Sequence, residues 1–226
     1  MSQDGPRSAE LLASLPGEVT QRLMARAAQV RRAAGQTLFM GGDAGDGCYV
    51  IDEGLLKVEL ASESGAQRIL AILRPGAVVG ELSLVDGKPR SATVTALRES
   101  RLRFISRATF DEVVARDPEL LRAVAAVLAG RLRDTNQALA TSNFMPVKGR
   151  VALAMSALME SFGQPVGPGR TLIKVKLAQG DIAAMAGVSR ETASRILNEW
   201  LRAGDISRLA GYYCIERAAA IEAPPG

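Results

Sequence analysis

The residues between Gly80 and Val94 are the ones whose types and spacing suit chemistry best. Ala77-Val78-Val79 reads as a short buried strand, and Gly80 after it lets the backbone come close to a bound group. Glu81 to Val85 reads as one helical turn, which includes Leu82 and Ser83. Its first amides have no intrahelical partner and sit at the positive end of the peptide dipoles, an arrangement that suits an anion. Asp86-Gly87-Lys88-Pro89 is a turn, and Arg90-Ser91 opens the next strand. Arg90 brings a permanent charge and a fork of donors. A carboxylate repels phosphate, so Glu81 needs a different role there. It can accept from a hydroxyl, such as a ribose offers. Phosphate and ribose in one small pocket describe a nucleotide.

A second set lies near the other end. Gly180 to Ala186 reads as a short helix, Gly187-Val188-Ser189 as a tight turn, and Arg190 to Arg202 as a second helix capped by Ser189 and closed at Gly204. Arg190, Glu191, Ser194 and Arg195 crowd the start of that helix, where a recognition helix meets base edges. Arginine reads guanine with two bonds, and glutamate accepts from the cytosine amine. Ile196, Leu197, Trp200 and Leu201 face inward, and Ile206 to Ile215 folds back as a wing turning at Ala210-Gly211. Lys174 and Lys176 are candidates for backbone phosphates. Taken alone, the first set also fits a surface turn, and the second a capped surface helix with a Glu191–Arg195 pair.

Together the two sets resemble a known family. Gly80-Glu81-Leu82 followed by Arg90-Ser91-Ala92 resembles the phosphate-binding cassette of cyclic-nucleotide-binding domains. Ser189-Arg190-Glu191-Thr192-x-x-Arg195 resembles the recognition helix of the cyclic AMP receptor protein and fumarate-nitrate regulator superfamily. The resemblance runs from Gly35 to Ile215. It implies that Glu81 holds the ribose 2′-hydroxyl and that Arg90 pairs with the cyclic phosphate. Ser91 and the backbone of Glu81 and Leu82 complete the cradle. It also implies that Thr135 meets the purine, beside Asn136 where relatives carry serine. At Ala178-Gln179-Gly180 the chain departs from the Thr-Arg-Gln opening of many relatives, so no phosphate contact carries over there. The iron–sulfur oxygen sensors need a cysteine cluster and the haem carbon-monoxide sensors a histidine ligand; the chain holds two separated cysteines and no histidine.

The elements that must position these groups follow from hydrophobic spacing. Ser8 to Leu15 reads as a helix broken by Pro16, and Glu18 to Arg31 as a second, with Val19, Leu23, Ala27 and Val30 on one face. From Gln36 the period becomes two. Strands are expected at Thr37–Met40, Cys48–Ile51, Leu55–Leu60, Gln67–Leu73, Ala92–Leu97 and Arg101–Ile105. Turns fall at Asp52-Glu53-Gly54, Ser62–Ala66 and Arg74-Pro75-Gly76. Short strands at this spacing make an antiparallel roll. Ser106 caps a helix with Phe110, Val113 and Val114. Asp117-Pro118 opens a long helix to about Ser142, whose Leu121, Ala125, Leu128, Leu132, Thr135, Leu139 and Ser142 form a heptad seam for a parallel dimer. Met145-Pro146 interrupts the chain as a hinge. Val147 to Phe162 is a helix, Gly163 to Arg170 a Gly/Pro loop, and Thr171 to Leu177 a strand.

The expected fold is therefore α+β: a β-roll in 1–116, a dimerisation helix in 117–142, a hinge in 143–147 and a winged helix-turn-helix in 148–226. The 226 residues fit two modest domains, and a net charge of +4 is compatible with nucleic acid. Without histidine, most zinc sites and catalytic triads fall away; no catalytic or metal constellation is expected, and the chain reads as no enzyme. Cys48 and Cys214 read as reduced cytoplasmic thiols. No signal peptide and no membrane span are expected. The partners expected are double-stranded DNA, a second copy of the chain and RNA polymerase. The ligand expected is cyclic AMP, with cyclic GMP as the alternative. A nucleotide-binding regulatory subunit acting on a protein partner is the rival architecture.

Overall fold

The computed structural model describes residues 15–62 and 67–217. The helix expected at Ser8–Leu15 lies almost wholly outside them, as does most of the Ser62–Ala66 turn. The chain divides into two compact units. One takes the described residues up to Ala61 together with Ile69–Thr135; the other takes Ser62, 67–68 and everything from Asn136 on.

The first unit is an antiparallel roll. Helix α1 (Gly17–Ala25) leads into β1 (Ala28–Arg32), β2 (Thr37–Phe39), β3 (Gly47–Ala61), β4 (Gln67–Leu73) and β5 (Val78–Val79). Helix α2 (Leu82–Asp86), strand β6 (Thr93–Ser106) and helix α3 (Arg107–Arg116) follow, and α4 (Glu119–Phe144) runs on into the second unit. Strands order as β1-β6-β3-β4, with β2 on β6 and β5 on β3. The helix expected over Glu18–Arg31 thus stops at Ala25. Its second half is β1, which pairs Ala28 through Arg32 with Phe104 through Ser100. A five-residue ladder on an existing strand outweighs a helical spacing that only Ala27 and Val30 extend.

The turn expected at Asp52-Glu53-Gly54 is instead an irregularity inside β3, where the register against β6 shifts between Ile51 and Leu56. Gly54 takes φ 105°, and a Cβ there would overlap Ser100, whose hydroxyl accepts the Leu55 N–H at 3.2 Å. In the same way the two strands expected over 92–105 are one, β6. Leu38, Ile51, Leu56, Leu73, Val79, Val94 and Leu102 fill the inside of the roll. Val19, Leu23, Val50, Ile105, Phe110, Leu120, Val124 and Val127 make a second core under α1, α3 and α4. Ser106 caps α3 by accepting the Thr109 N–H at 3.2 Å.

In the second unit α4 ends at Phe144 and α5 (Val147–Phe162) begins after Met145-Pro146. The expected Gly163–Arg170 loop is a hairpin of β7 (Gly163–Gly167) with β8 (Arg170–Ile173), and β8 stops well short of Leu177. Helices α6 (Gln179–Ala186) and α7 (Arg190–Ala203) and strands β9 (Ile206–Leu209) and β10 (Tyr212–Ile215) complete it, in the sheet order β7-β8-β10-β9. The whole is α+β, an antiparallel roll followed by a helix-turn-helix with a wing. Among the described residues no helix is long and apolar enough to cross a membrane.

Candidate functional site

The cassette forms as the sequence leads one to expect. β5 is buried, Gly80 takes φ 85°, and Leu84 N–H closes the first turn of α2 onto Glu81 O at 3.0 Å. That leaves the Leu82 and Ser83 amides ahead of the first intrahelical bond. A Cβ at Gly80 would meet the Arg90 guanidinium, so glycine is what admits Arg90 here. Glu81 is 2% exposed, Ser83 and Arg90 are buried, and Leu82 and Ser91 are exposed.

Arg90 runs back under the cassette. Its Nη1 donates to the carbonyls of Gly47 (2.7 Å) and Gly80 (2.8 Å), and its Nη2 donates to Asp46 Oδ1 (3.0 Å). The guanidinium carbon lies 4.4 Å from the Phe39 ring centroid and 5.9 Å from that of Tyr49. Glu81 has a partner that sequence reasoning missed: Arg131 of α4 donates to Glu81 Oε1 and to the Val78 carbonyl. A signal was available, because a carboxylate that directly follows a strand read as buried calls for a counter-charge. Thr135, one turn further on, is exposed and donates to the Arg131 carbonyl at 2.8 Å; Asn136 is exposed beside it. Burial, then the charge of Glu81, pushes the neighbouring Cys48 thiol up to about 12, which keeps it protonated.

Glu81 Oε2, Ser83 Oγ and Arg90 Nε are buried without a hydrogen-bond partner, three of the five such side-chain atoms among the described residues. They comprise an acceptor, a hydroxyl and a charged donor within one cassette. That set fits a hydroxylated, phosphorylated ligand.

In the second unit Ser189 caps α7, accepting the Thr192 N–H at 3.2 Å, and Gly187 turns the chain at φ 62°. Ala193, Ile196, Leu197 and Trp200 are buried, while Arg190, Glu191 and Arg195 are exposed and Ser194 is half-buried. Leu201, expected inside, is half-buried. The Glu191 carboxyl is held below the usual carboxylate range, first by its own backbone N–H and then by the Ser189 hydroxyl. It therefore presents an ionised acceptor at the start of the helix. Lys148 of α5 pairs with Glu199 of α7, two turns beyond Glu191. At the wing, Lys176 lies 5.3 Å from the Tyr212 ring centroid and Arg208 4.5 Å from that of Tyr213.

A roll with a phosphate-type cassette, joined to a winged helix-turn-helix, defines a ligand-binding, DNA-binding regulator. Comparison with known proteins agrees on both halves. The cyclic nucleotide-binding domain family matches residues 29–117, and the Crp-like helix-turn-helix domain family matches residues 149–223. A CRP-like cAMP-activated global transcriptional regulator of Mycobacterium tuberculosis is 36% identical over 177 residues, 78% of each chain. The cyclic AMP receptor protein of Thermus thermophilus is 32% identical over 188 residues, 83% of each. Among solved structures, a CRP/FNR-family transcriptional regulator from Thermus thermophilus superposes with TM-score 0.71 at 26% identity. That match covers 86% of this chain and 96% of the other. The chain belongs to the Crp-Fnr family of transcriptional regulators.

Proposed function

We propose that the protein is a homodimeric transcription factor that binds cyclic AMP and, in response, repositions two recognition helices on a palindromic DNA site. The observation that supports this most is the convergence of unpartnered Glu81, Ser83 and Arg90 atoms in one buried cassette. In this reading Arg90 and the Leu82 and Ser83 amides take the cyclic phosphate, with Gly80 making room and Ser91 at the rim. Glu81 takes the ribose hydroxyl, and Thr135 with Asn136 of the partner subunit takes the purine. Relatives whose names describe them as cAMP-activated favour adenine.

The seam of α4 supports the dimer: Leu120, Ala123, Val124 and Val127 are buried in the roll core, while Leu121, Leu132 and Leu139 are exposed. Residues 1–116 then bind ligand, 117–142 dimerise, 143–147 hinge and 148–226 bind DNA through Ser189, Arg190, Glu191, Ser194 and Arg195. Ligand acts by shifting the population of two arrangements of the paired helices. The protein works in the cytoplasm, with RNA polymerase downstream.

Side-by-side calorimetric titration with cyclic AMP and cyclic GMP, followed by DNA binding with and without each, tests the reading. Micromolar or tighter binding of cyclic AMP, with a matching change in DNA affinity, is expected. Ten-fold tighter cyclic GMP overturns the adenine assignment. Nucleotide binding without DNA binding under any of these conditions favours the rival, a nucleotide-binding regulatory subunit acting on a protein partner.

A further inference from the structure

Building on the nucleotide reading above, we propose that Asp46 is an internal stand-in for the ligand's phosphate, occupying Arg90 until ligand displaces it and thereby setting the affinity of the site. Arg90 is all but enclosed, its side chain 2% exposed, while the carboxylate it holds is 71% exposed. Its inner nitrogen is committed to two carbonyls, Gly47 and Gly80. The outer nitrogen, Nη2, meets Asp46 Oδ1. Arg90 Nε is without a partner but buried, and an anion that engages Nη2 finds Asp46 already there.

The charges favour displacement. Without ligand Arg90 is paired with Asp46 and Arg131 with Glu81. A cyclic phosphodiester adds one negative charge. A phosphate on Arg90 sets a second anion beside Asp46, and the repulsion between the two favours withdrawal of the carboxylate that can leave. Glu81 is buried and cannot do so without losing its counter-charge, whereas Asp46 needs only to rotate into water.

The main chain around Asp46 is built to stay put while its side chain leaves. The Asp46 carbonyl accepts the Arg107 N–H at 2.8 Å. The Arg107 side chain donates to Gly45 O (3.2 Å) and Leu84 O (3.1 Å), and also to Ser83 O, tying the Gly45-Asp46-Gly47 segment to α2 and to the start of α3. The exchange is therefore a side-chain rotation against a fixed frame. Part of the phosphate's interaction with Arg90 is spent in evicting Asp46.

The test is calorimetry with cyclic AMP, cyclic GMP and adenosine on wild type, Asp46→Asn and Asp46→Ala, with thermal melts of each protein alone. Both variants are expected to bind the preferred cyclic nucleotide about three- to ten-fold tighter. Adenosine, which lacks the phosphate, should show no gain. Without ligand both variants should melt lower, because Arg90 has lost its counter-ion; a group that merely braces the fold would lower melting and affinity together. Unchanged or weaker binding in the variants, or an equal gain for adenosine, overturns the role of Asp46 while leaving the nucleotide site intact. Wild type that binds neither cyclic nucleotide overturns both.

Discussion

Arg131 reaches from α4 to the carboxylate of Glu81, and the main-chain carbonyl of Arg131 accepts the Thr135 hydroxyl one turn later. The group assigned to ribose and the group assigned to the purine are thus joined through one residue. Removing Arg131 strands a buried carboxylate. Arg131→Ala should cost about 2–4 kcal/mol in urea unfolding. Adding Glu81→Gln should recover part of that loss, since the stranded charge goes with it. An unchanged midpoint in the single variant would show that water serves Glu81 as well as the guanidinium does.

The exposed leucines of α4 lead to a second expectation. Leu132 is 61% exposed and lies within the heptad seam. Replacing it with arginine puts two like charges across a parallel pair and removes apolar burial worth roughly 1.5–3 kcal/mol per side chain. Leu132→Arg should shift sedimentation from dimer to monomer at micromolar concentration and leave the helical content of each chain unaltered. A dimer of undiminished affinity would place the contact on another face.

The wing carries a pH-dependent tie. The Arg170 guanidinium, at 3.0 Å through Nη2, and the Ser207 hydroxyl, at 2.6 Å, hold the Glu216 carboxyl down at about 2. The folded carboxyl is depressed from an ordinary value of 4.5, so its contribution is whole above that value and fades as pH falls from 4.5 toward 2. Melting of the wild type should therefore drop between pH 5 and pH 3 by more than that of Glu216→Gln. Parallel curves for the two proteins would remove Glu216 as the source.

How far the sequence announced all this differs from element to element. Ser106, Ser189, Gly187 and Gly204 mark helix ends by local chemistry, and those ends fall where the residues say. The cassette was legible for the same reason, since Gly80, Glu81, Arg90 and Ser91 lie within one short stretch. What stayed hidden depends on distant pairing. Ala28–Arg32 becomes a strand only because β6 offers it an edge, and Gly54 is a bulge rather than a turn because Ser100 receives it. Gly163–Gly167 has no apolar alternation at all; it is a strand by virtue of β8. Arg131 and Asp46 lie 50 residues after Glu81 and 44 before Arg90 respectively, so only the folded chain brings them in.

The recognition helix allows positioning and reading to be separated. Arg195 and Glu191 are exposed on the α7 surface opposite Ile196 and Trp200, and Glu191 is held ionised. If they read base edges, Arg195→Ala and Glu191→Ala should each cost roughly 1–3 kcal/mol on the preferred site and relax preference at particular positions. By the resemblance of Ser189-Arg190-Glu191-Thr192-x-x-Arg195 to the family's recognition helix, the preferred site should be a palindrome of TGTGA-like half-sites, with centres about 10–10.5 base pairs apart. Lys176, beside the wing at Tyr212, should behave differently. Lys176→Ala should weaken all sequences alike and lower the slope of log affinity against log salt by about one. Selection from a randomised DNA pool, repeated with each variant, gives the position-by-position preference; a salt titration gives the slope. A uniform loss from Arg195→Ala, with preference intact, would move Arg195 from the bases to the phosphate backbone.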